Sequence, residues 1–434
     1  MSLTATIERL AFGGNGVCRI DGKVCFVPFS CPGDEVSLEV VSSKKSYMTA
    51  RIVDLLRPSP QRVTPACPVF GRCGGCTWQQ VSYAAQLAEK RAIFADALWR
   101  GVRIEPALVA DVIASPRQYG YRSRVQFKLH AATGRLQMGF FRAGSHFVED
   151  APEGCPIALP VINEAAAQLR RVIERFSEGR YLPQVNVECG DSGVVAVVNY
   201  IGQHPDQAAD YFGSCRDELP AVSGLWLQAG RKHSLSRVWG DDTLYYRLPS
   251  ADGEVQLGFT PGGFSQVNSD QNQAILTLIR RMGSFSSSEQ LLDLYCGNGN
   301  FSIPLAGEVA SVTGVEGYQG SIDSALENVR LNSIGNARYI CNQAYTALEE
   351  FLAAGQSFDV VLLDPPRSGA AESVESICRL KPQKVIYVSC DPSTLARDCG
   401  MFSGRGYRVI ESVPLDMFPQ TSHLESVTLL TRSS

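Results

Sequence analysis

Cys390 follows the apolar run KVIYVS and precedes Asp391 and Pro392 in VSCDPSTLARD. A cysteine between a strand and a helix start lies near free backbone amides and the positive end of the helix dipole, which favour the thiolate. Such a thiolate is a nucleophile, a packed core thiol being the plain alternative. Two carboxylates occupy comparable places. Asp364 closes the apolar run VVLLD before Pro365 and Pro366, which stiffen the loop, and Glu425 opens the last apolar run in FPQTSHLESVTLL, beside His423. A thiolate adding to carbon 6 of an electron-poor pyrimidine such as uracil makes carbon 5 an enolate carbon, able to displace methyl from a sulfonium. The adduct must then lose its carbon 5 proton to a base before the thiol can leave. Cys390 suits the first task, Glu425 the second, and Asp364 can hydrogen-bond the ring edge near the methyl. A base stacked in a helix is out of reach of a cysteine, so the target must be unpaired or flipped.

The methyl donor has a candidate site in LLDLYCGNGNF, an apolar strand running into a turn with Gly297 and Gly299. A second strand, SVTGVE, ends in Glu316, placed to accept both hydroxyls of a ribose. A third glycine in dinucleotide register and a phosphate-binding lysine are both missing. The turn therefore resembles the S-adenosylmethionine turn of class I methyltransferases, with another nucleotide-binding doubly wound domain as the alternative.

Most of the fourteen cysteines sit singly in apolar surroundings, as small core residues do. Cys67, Cys73 and Cys76 differ: they crowd one turn-rich segment, CPVFGRCGGC, whose glycines let the backbone fold tightly around a ligand. Cys155 in PEGCPI is the best candidate for a fourth thiolate. Four thiolates suit a [4Fe-4S] cluster or zinc, and three on one loop plus one distant favours iron–sulfur.

These residues need a scaffold, and the composition of a 434-residue chain, 44% hydrophobic and 19% charged, is that of a soluble multidomain protein. No run of ~18 uncharged apolar residues encodes a membrane span. Met1 to Leu10 carries Glu8 and Arg9, unlike a signal peptide, so a cytoplasmic location with reduced thiols is expected. Residues 1–58 read as five short strands with glycine turns, a small oligonucleotide-binding barrel. After Pro58 and Pro60, residues 59–258 form a second region, helical from Gln80 to Trp99 and β-like beyond. Residues 259–434 alternate strand and helix as a doubly wound parallel sheet, which binds ligands beyond the carboxyl ends of its strands. The net charge of −4 divides into +7 over the first 150 residues and −11 over the remainder. No acid occurs between Asp111 and Glu149, where Arg117, Arg122, Arg124, Lys128, Arg135 and Arg142 interleave with Tyr119, Tyr121, Phe127, Phe140 and Phe141. Cations for phosphates and rings for unpaired bases suit single-stranded RNA, although a solvated hairpin face carries the same pattern.

Taken together the motifs resemble the RNA 5-methyluridine methyltransferase family, in particular its iron–sulfur branch with an N-terminal TRAM barrel. The likeness covers nearly the whole chain: the barrel, the four cysteines, YRSRVQFKL…GRLQMGFFRAG, FSQVN, LDLYCGNGNF, LLDPPRSG, SCDPSTLARD and HLES. The resemblance implies an α/β class I methyltransferase fold with a TRAM barrel and an α+β central iron–sulfur domain. It also implies S-adenosylmethionine contacts from Gln266, Tyr295, Asn300, Glu316 and Asp364, with Cys390 as nucleophile and Glu425 as base. The adenine contact falls in ICNQAY, where Gln343 aligns best and Asn342 is adjacent. Cys67, Cys73, Cys76 and Cys155 become cluster ligands that shape an RNA-facing loop, and Arg122, Arg124, Lys128 and Arg142 become RNA contacts. The implied substrate is a uridine of large-subunit ribosomal RNA, with the T-loop of transfer RNA as the alternative and an inactive RNA-binding factor as the reading from another class. A cytosine-5 enzyme would keep a second cysteine where Pro366 and Arg367 stand, and an exocyclic-amine enzyme would want Asn in place of Asp364. Nothing in the catalytic set requires a second subunit, so a monomer is expected.

Overall fold

The computed structural model describes residues 3–106, 109–132, 135–230 and 235–433. Its first sheet comprises β1 (Leu3–Thr6), β2 (Arg9–Leu10), β3 (Gly16–Ile20), β4 (Lys23–Val27), β5 (Glu35–Ser43) and β6 (Tyr47–Arg57), in the order β1-β5-β6-β4-β3-β2. Ile7, Cys18, Cys25, Val27, Val36 and Leu38 are fully buried between these strands. The sixth strand arises because the run ATIERLAF bends. Ile7 N donates to Asp34 O at 2.9 Å and Glu8 N to Val17 O at 2.8 Å, so the chain leaves β5 and joins β3.

Helix α1 (Tyr83–Val102) follows, then a sheet of β7 (Arg124–Ala132), β8 (Arg135–Phe141), β9 (Val148–Asp150), β10 (Gln184–Cys189), β11 (Val194–Tyr200), β12 (Gly224–Ala229) and β13 (Leu235–Gly240). Its strand order is β13-β12-β11-β10-β7-β8-β9. Two helices, α2 (Pro160–Glu174) and α3 (Pro205–Ser214), interrupt the stretch expected to be β-like. In α2, Pro160 takes the first helical position and Ile162, Ala165, Ala166, Leu169, Val172 and Ile173 make a buried stripe at helical spacing. A two-stranded ribbon, β14 (Leu244–Ser250) and β15 (Gly253–Phe259), leads to α4 (Ser269–Gly283).

The last sheet holds β16 (Gln290–Leu294), β17 (Ser311–Glu316), β18 (Ala337–Cys341), β19 (Val360–Leu363), β20 (Lys384–Ser389), β21 (Tyr407–Leu415) and β22 (Glu425–Arg432). Helices α5 (Ser302–Leu305), α6 (Gln319–Leu331), α7 (Ala344–Ala353), α8 (Ala371–Leu380) and α9 (Pro392–Ser403) connect them. The order β18-β17-β16-β19-β20-β22-β21 reverses between β16 and β19, which is where a doubly wound sheet opens its ligand crevice. All pairs are parallel except those of β22, which runs antiparallel to β20 and β21. The two strands absent from the sequence reading, β18 and β21, are the sheet edges, where one side meets solvent and the apolar run is broken. Helix α1 joins this core: Phe94, Ala95 and Leu98 pack with Leu292, Leu395 and Phe402. Its approach to α9 is close enough that a Cβ on Gly101 would stand 2.6 Å from the Ala396 methyl.

Candidate active site

The glycine turn after β16 passes through left-handed backbone at Tyr295, Gly297 and Gly299. At Gly299, with φ of +83°, a side chain would also strike Ile303 at 2.5 Å, so only glycine fits. Glu316, at the end of β17, accepts from Gly297 N at 3.4 Å and from Tyr318 N at 3.0 Å, which aims its carboxylate along the turn. Gln343 begins α7 with its amide against Gly317, whereas the Asn342 side chain is turned to Glu350 and Gln343 N. Of the two side chains, that of Gln343 lies against Gly317, the residue after Glu316. The Tyr295 hydroxyl lies 3.3 Å from Ser373 Oγ.

The Asn300 side chain is held within the protein by a hydrogen-bond network. Its Oδ1 accepts from Asn272 Nδ2 and Tyr246 Oη, both at 2.9 Å, and its Nδ2 donates to Asn272 Oδ1. This buried side chain braces the turn from behind. Gln266 lies half-buried in the loop before α4.

Asp293 and Asp364 end β16 and follow β19 on either side of the strand reversal. Burial pushes both carboxyls up to about 7, and in Asp293 the charges of Asp364 and Glu316 add to the effect. Asp293 Oδ2 is a buried oxygen with no hydrogen-bond partner. Buried acids converging on a crevice fit a cationic ligand, and the sulfonium and amino groups of S-adenosylmethionine supply that charge.

The register of β20 on β22 brings a thiol and a carboxyl together. Ser389 is opposite Ser426, so the next step of the antiparallel ladder puts Cys390, just past β20, across from Glu425 at the start of β22. Both carboxyls, Glu425 and Asp364, bear electrostatically on the thiol. Burial and these two charges push Cys390 up to about 12, opposite to the dipole-induced lowering expected from its place before a helix. Asp391 caps α9, accepting from Ser393 N at 2.8 Å and Thr394 N at 3.1 Å. Burial also lifts Glu425 well above the carboxylate range, with Asp364 adding to it.

Arg367 is the cation that opposes these shifts: its charge favours the ionised forms of both Cys390 and Glu425, and with burial it holds His423 below the ordinary imidazole range. Its place after Asp364-Pro365-Pro366 was the available signal. Asp398 was also missed as a functional residue. It accepts from Ala370 N at 2.7 Å and Tyr387 Oη at 2.8 Å, while Arg397 donates to Ser368 O at 2.7 Å. Helix α9 thereby staples the loop that carries Asp364 and Arg367.

The four clustered cysteines lie close to one another, and Thr77 and Trp78, which follow Cys76, donate to Gln420 O. Burial pushes Cys76 up to about 12 and Cys155 up to about 11, and Cys73 and Cys67 contribute to both shifts, so the four thiols share one neighbourhood. Among the described residues, however, no group of three or more Cys, His, Asp or Glu side chains is arranged to hold a metal ion. The donor chemistry fits a thiolate-bound metal; a closed coordination shell is not formed.

Of the expected RNA contacts, Arg124 is turned inward. It pairs with Glu188 at 3.3 Å and donates to Gly263 O and Ser265 Oγ, so it anchors the loop carrying Gln266. Arg122 is half-buried and donates to Arg124 O. Lys128 Nζ stands 5.2 Å over the Phe141 ring. Arg142 reaches Glu149 at 2.8 Å, and Glu149 also takes Arg72 at 2.7 Å, so one acid is shared by two cations. An open recess of about 530 Å³ lies here between Gly74, Gly75, Phe140, Phe141, Arg142 and His146. The Arg135 side chain lies outside the described residues. Among the described residues no helix is long and apolar enough to cross a membrane.

Residues 82–433 match the family profile described as tRNA (Uracil-5-)-methyltransferase, which is most of the chain. The protein belongs to that family. Residues 3–61 match the TRAM domain of tRNA (uracil(54)-C(5))-methyltransferase, so the first sheet is a TRAM domain. Among relatives, the 23S rRNA (uracil(1939)-C(5))-methyltransferase RlmD of Pectobacterium atrosepticum is 34% identical, over 99% of this chain and 93% of that protein. An "Uncharacterized RNA methyltransferase" of Thermosynechococcus vestitus is also 34% identical, over 98% of this chain and 97% of that protein. The crystal structure of Pyrococcus abyssi tRNA (uracil-54, C5)-methyltransferase with S-adenosyl-L-homocysteine superposes with a TM-score of 0.75 at 28% identity, covering 99% of this chain and all of that one. Family and fold agree with the resemblance drawn from the motifs.

Proposed function

We propose that the protein methylates carbon 5 of a uridine in 23S ribosomal RNA, with Cys390 adding to carbon 6 and Glu425 removing the carbon 5 proton. The observation that carries this reading is the β20–β22 register, which faces Cys390 with Glu425 beside Asp364. The ribosomal substrate is drawn from the RlmD relatives. Bound S-adenosylmethionine would supply the methyl group. Gln266, Tyr295, Glu316, Gln343 and Asp364 would border it, with Asn300 bracing the turn. Asp364 would also hydrogen-bond the uracil edge, and Arg122, Lys128 and Arg142 would meet RNA phosphates. A transfer-RNA substrate is the second reading, favoured by the Pyrococcus structure. Mapping 5-methyluridine in a strain lacking the gene separates them. Loss at one position of 23S ribosomal RNA is expected; loss in the T-loop instead selects the second reading, and loss in neither overturns both.

Cofactor affinity carries a pH signature. Asp293 and Asp364, held up to about 7, are partly protonated below neutrality, and a bound cation favours their ionised forms. Binding of S-adenosylmethionine should therefore release protons and tighten as pH rises toward about 7. S-adenosylhomocysteine, which lacks the sulfonium charge, should show a weaker dependence. Titration calorimetry in buffers of different ionisation enthalpy checks this, and equal pH profiles for the two ligands would refute it.

Cys67, Cys73, Cys76 and Cys155 are proposed to hold a [4Fe-4S] cluster that cross-links the segment around residues 67–76 to Cys155. Methyl transfer needs no redox step, so the role is structural. Protein prepared without oxygen should carry iron and a broad visible absorption, both lost in Cys76→Ser; a colourless protein containing zinc would overturn the assignment.

A further inference from the structure

Glu425 has a second ladder partner, Leu415, and the residue after it, Asp416, starts the turn that connects β21 to β22. That turn is gripped from several elements. Asp416 pairs with Lys90 of α1 at 2.5 Å with both side chains fully buried, and Lys90 also donates to Phe418 O at 3.1 Å. Gln86, one helical turn before Lys90, makes reciprocal bonds with Gln420: its Nε2 donates to Gln420 Oε1 and its Oε1 accepts from Gln420 N, both at 3.0 Å. Gln420 O in turn accepts from Thr77 N at 3.1 Å and Trp78 N at 3.0 Å, the residues following Cys76. Tyr121 Oη donates to Pro419 O at 3.0 Å and Asn268 Nδ2 to Met417 O at 3.2 Å.

This is an expensive way to hold a turn. A buried ion pair loses solvation on both partners and is often no more stabilising than apolar residues of the same volume. Asp416 Oδ2, moreover, is buried without a hydrogen-bond partner. Gln420 has φ of +70°, a left-handed backbone that glycine adopts more readily. What these features provide is a fixed geometry: Lys90 and Gln86 fasten the turn to α1, and α1 packs on α9, the helix that follows Cys390. The same helix thus references both members of the reacting pair.

We propose that Gln86, Lys90, Asp416 and Gln420 are positioning residues that set Glu425 against Cys390 through this turn. The inference rests on the reading of Glu425 as the base. Two variants test it with unmodified 23S ribosomal RNA transcript and S-adenosylmethionine. Lys90→Met/Asp416→Asn removes both buried charges together, and Gln420→Gly removes the side-chain oxygen that accepts from Gln86 Nε2 while placing glycine where the backbone favours it. Each should slow turnover by about 10²-fold, the scale of a small misplacement of a reacting group. In each the protein–RNA covalent complex should build up on denaturing gels, with KM for S-adenosylmethionine unchanged. A purely structural defect would instead lower covalent complex and product together. Wild-type turnover, or loss of activity without build-up, in Gln420→Gly overturns the proposal, and does so even if the double variant fails to fold. Glu425→Gln run alongside separates the two readings: no complex there removes the base itself, whereas complex there but not in Gln420→Gly removes only the positioning role.

Discussion

Cys390→Ala is expected to abolish both methylation and the covalent RNA complex while leaving the fold and S-adenosylmethionine binding intact. The thiol is the nucleophile in the proposed sequence, and it is the thiol on which Glu425 and Asp364 both bear. Removing the nucleophile of a cooperating set costs at least about 10⁴-fold, because base and cofactor have nothing to act on without the adduct. The stability cost is small by comparison, since one half-buried sulfur is lost from the crevice mouth rather than from the core. The wild-type rate of adduct formation should climb with pH, because the thiolate of a thiol held up to about 12 grows as protons are withdrawn. The decisive measurement pairs methyl incorporation with denaturing-gel retardation of the RNA. A Cys390→Ala protein that still methylates RNA would end the covalent mechanism.

The chemistry was legible in the sequence because it sits where apolar runs stop. Strands buried on both faces write themselves as VVLL or KVIYVS, and the polar residue ending each run marks the carboxyl edge of the sheet. Cys390, Asp364 and Glu316 were located in that way. What stayed hidden depends on three-dimensional neighbours. A lysine in a helix reads as a solvated face, yet Lys90 is wholly buried because Asp416, far along the chain, neutralises it. Arg124 reads as an RNA-facing cation in a basic hairpin, yet Glu188 and the carbonyl of Gly263 turn it inward. A cysteine before a helix reads as a ready thiolate, yet burial and the charges of Glu425 and Asp364 push the Cys390 thiol up to about 12. In each case a local preference meets a partner that the spacing does not reveal.

The charge division also changes meaning in three dimensions. Its +7 front suggested an open field of cations, but Glu149 binds Arg72 and Arg142 together, and their charges hold its carboxyl below the ordinary glutamate range. The cations are therefore partly compensated and held in place beside the recess lined by Phe141 and His146. Fixed cations beside aromatic rings orient a strand, whereas free ones only attract it. On the acidic side, Asp293 and Glu425 are buried beside Asp364, so their charges face the crevice and not the solvent.

Glu425→Gln should trap the reaction at its covalent stage, giving an RNA complex that survives denaturation and carries the transferred methyl. Cys390, Asp364 and Arg367 are untouched in this variant, so addition and methyl transfer proceed. The carbon 5 proton then has no acceptor, and elimination of the thiol cannot follow. Glutamine is nearly isosteric, and in the ligand-free protein burial already favours the uncharged form of Glu425, so the fold should change by less than about 1 kcal/mol. The same burial predicts how the wild-type enzyme responds to pH. A carboxyl held well above its usual range becomes a base only as pH rises, so release of product should accelerate with pH in the wild type and stay flat and slow in Glu425→Gln. Single-turnover assays with methyl-labelled cofactor separate the two steps, because label appears first in the covalent complex and only later in free RNA. Wild-type release from Glu425→Gln would assign the proton to another acceptor, and His423, half-buried and held below the ordinary imidazole range by burial and the Arg367 charge, is the next group to substitute.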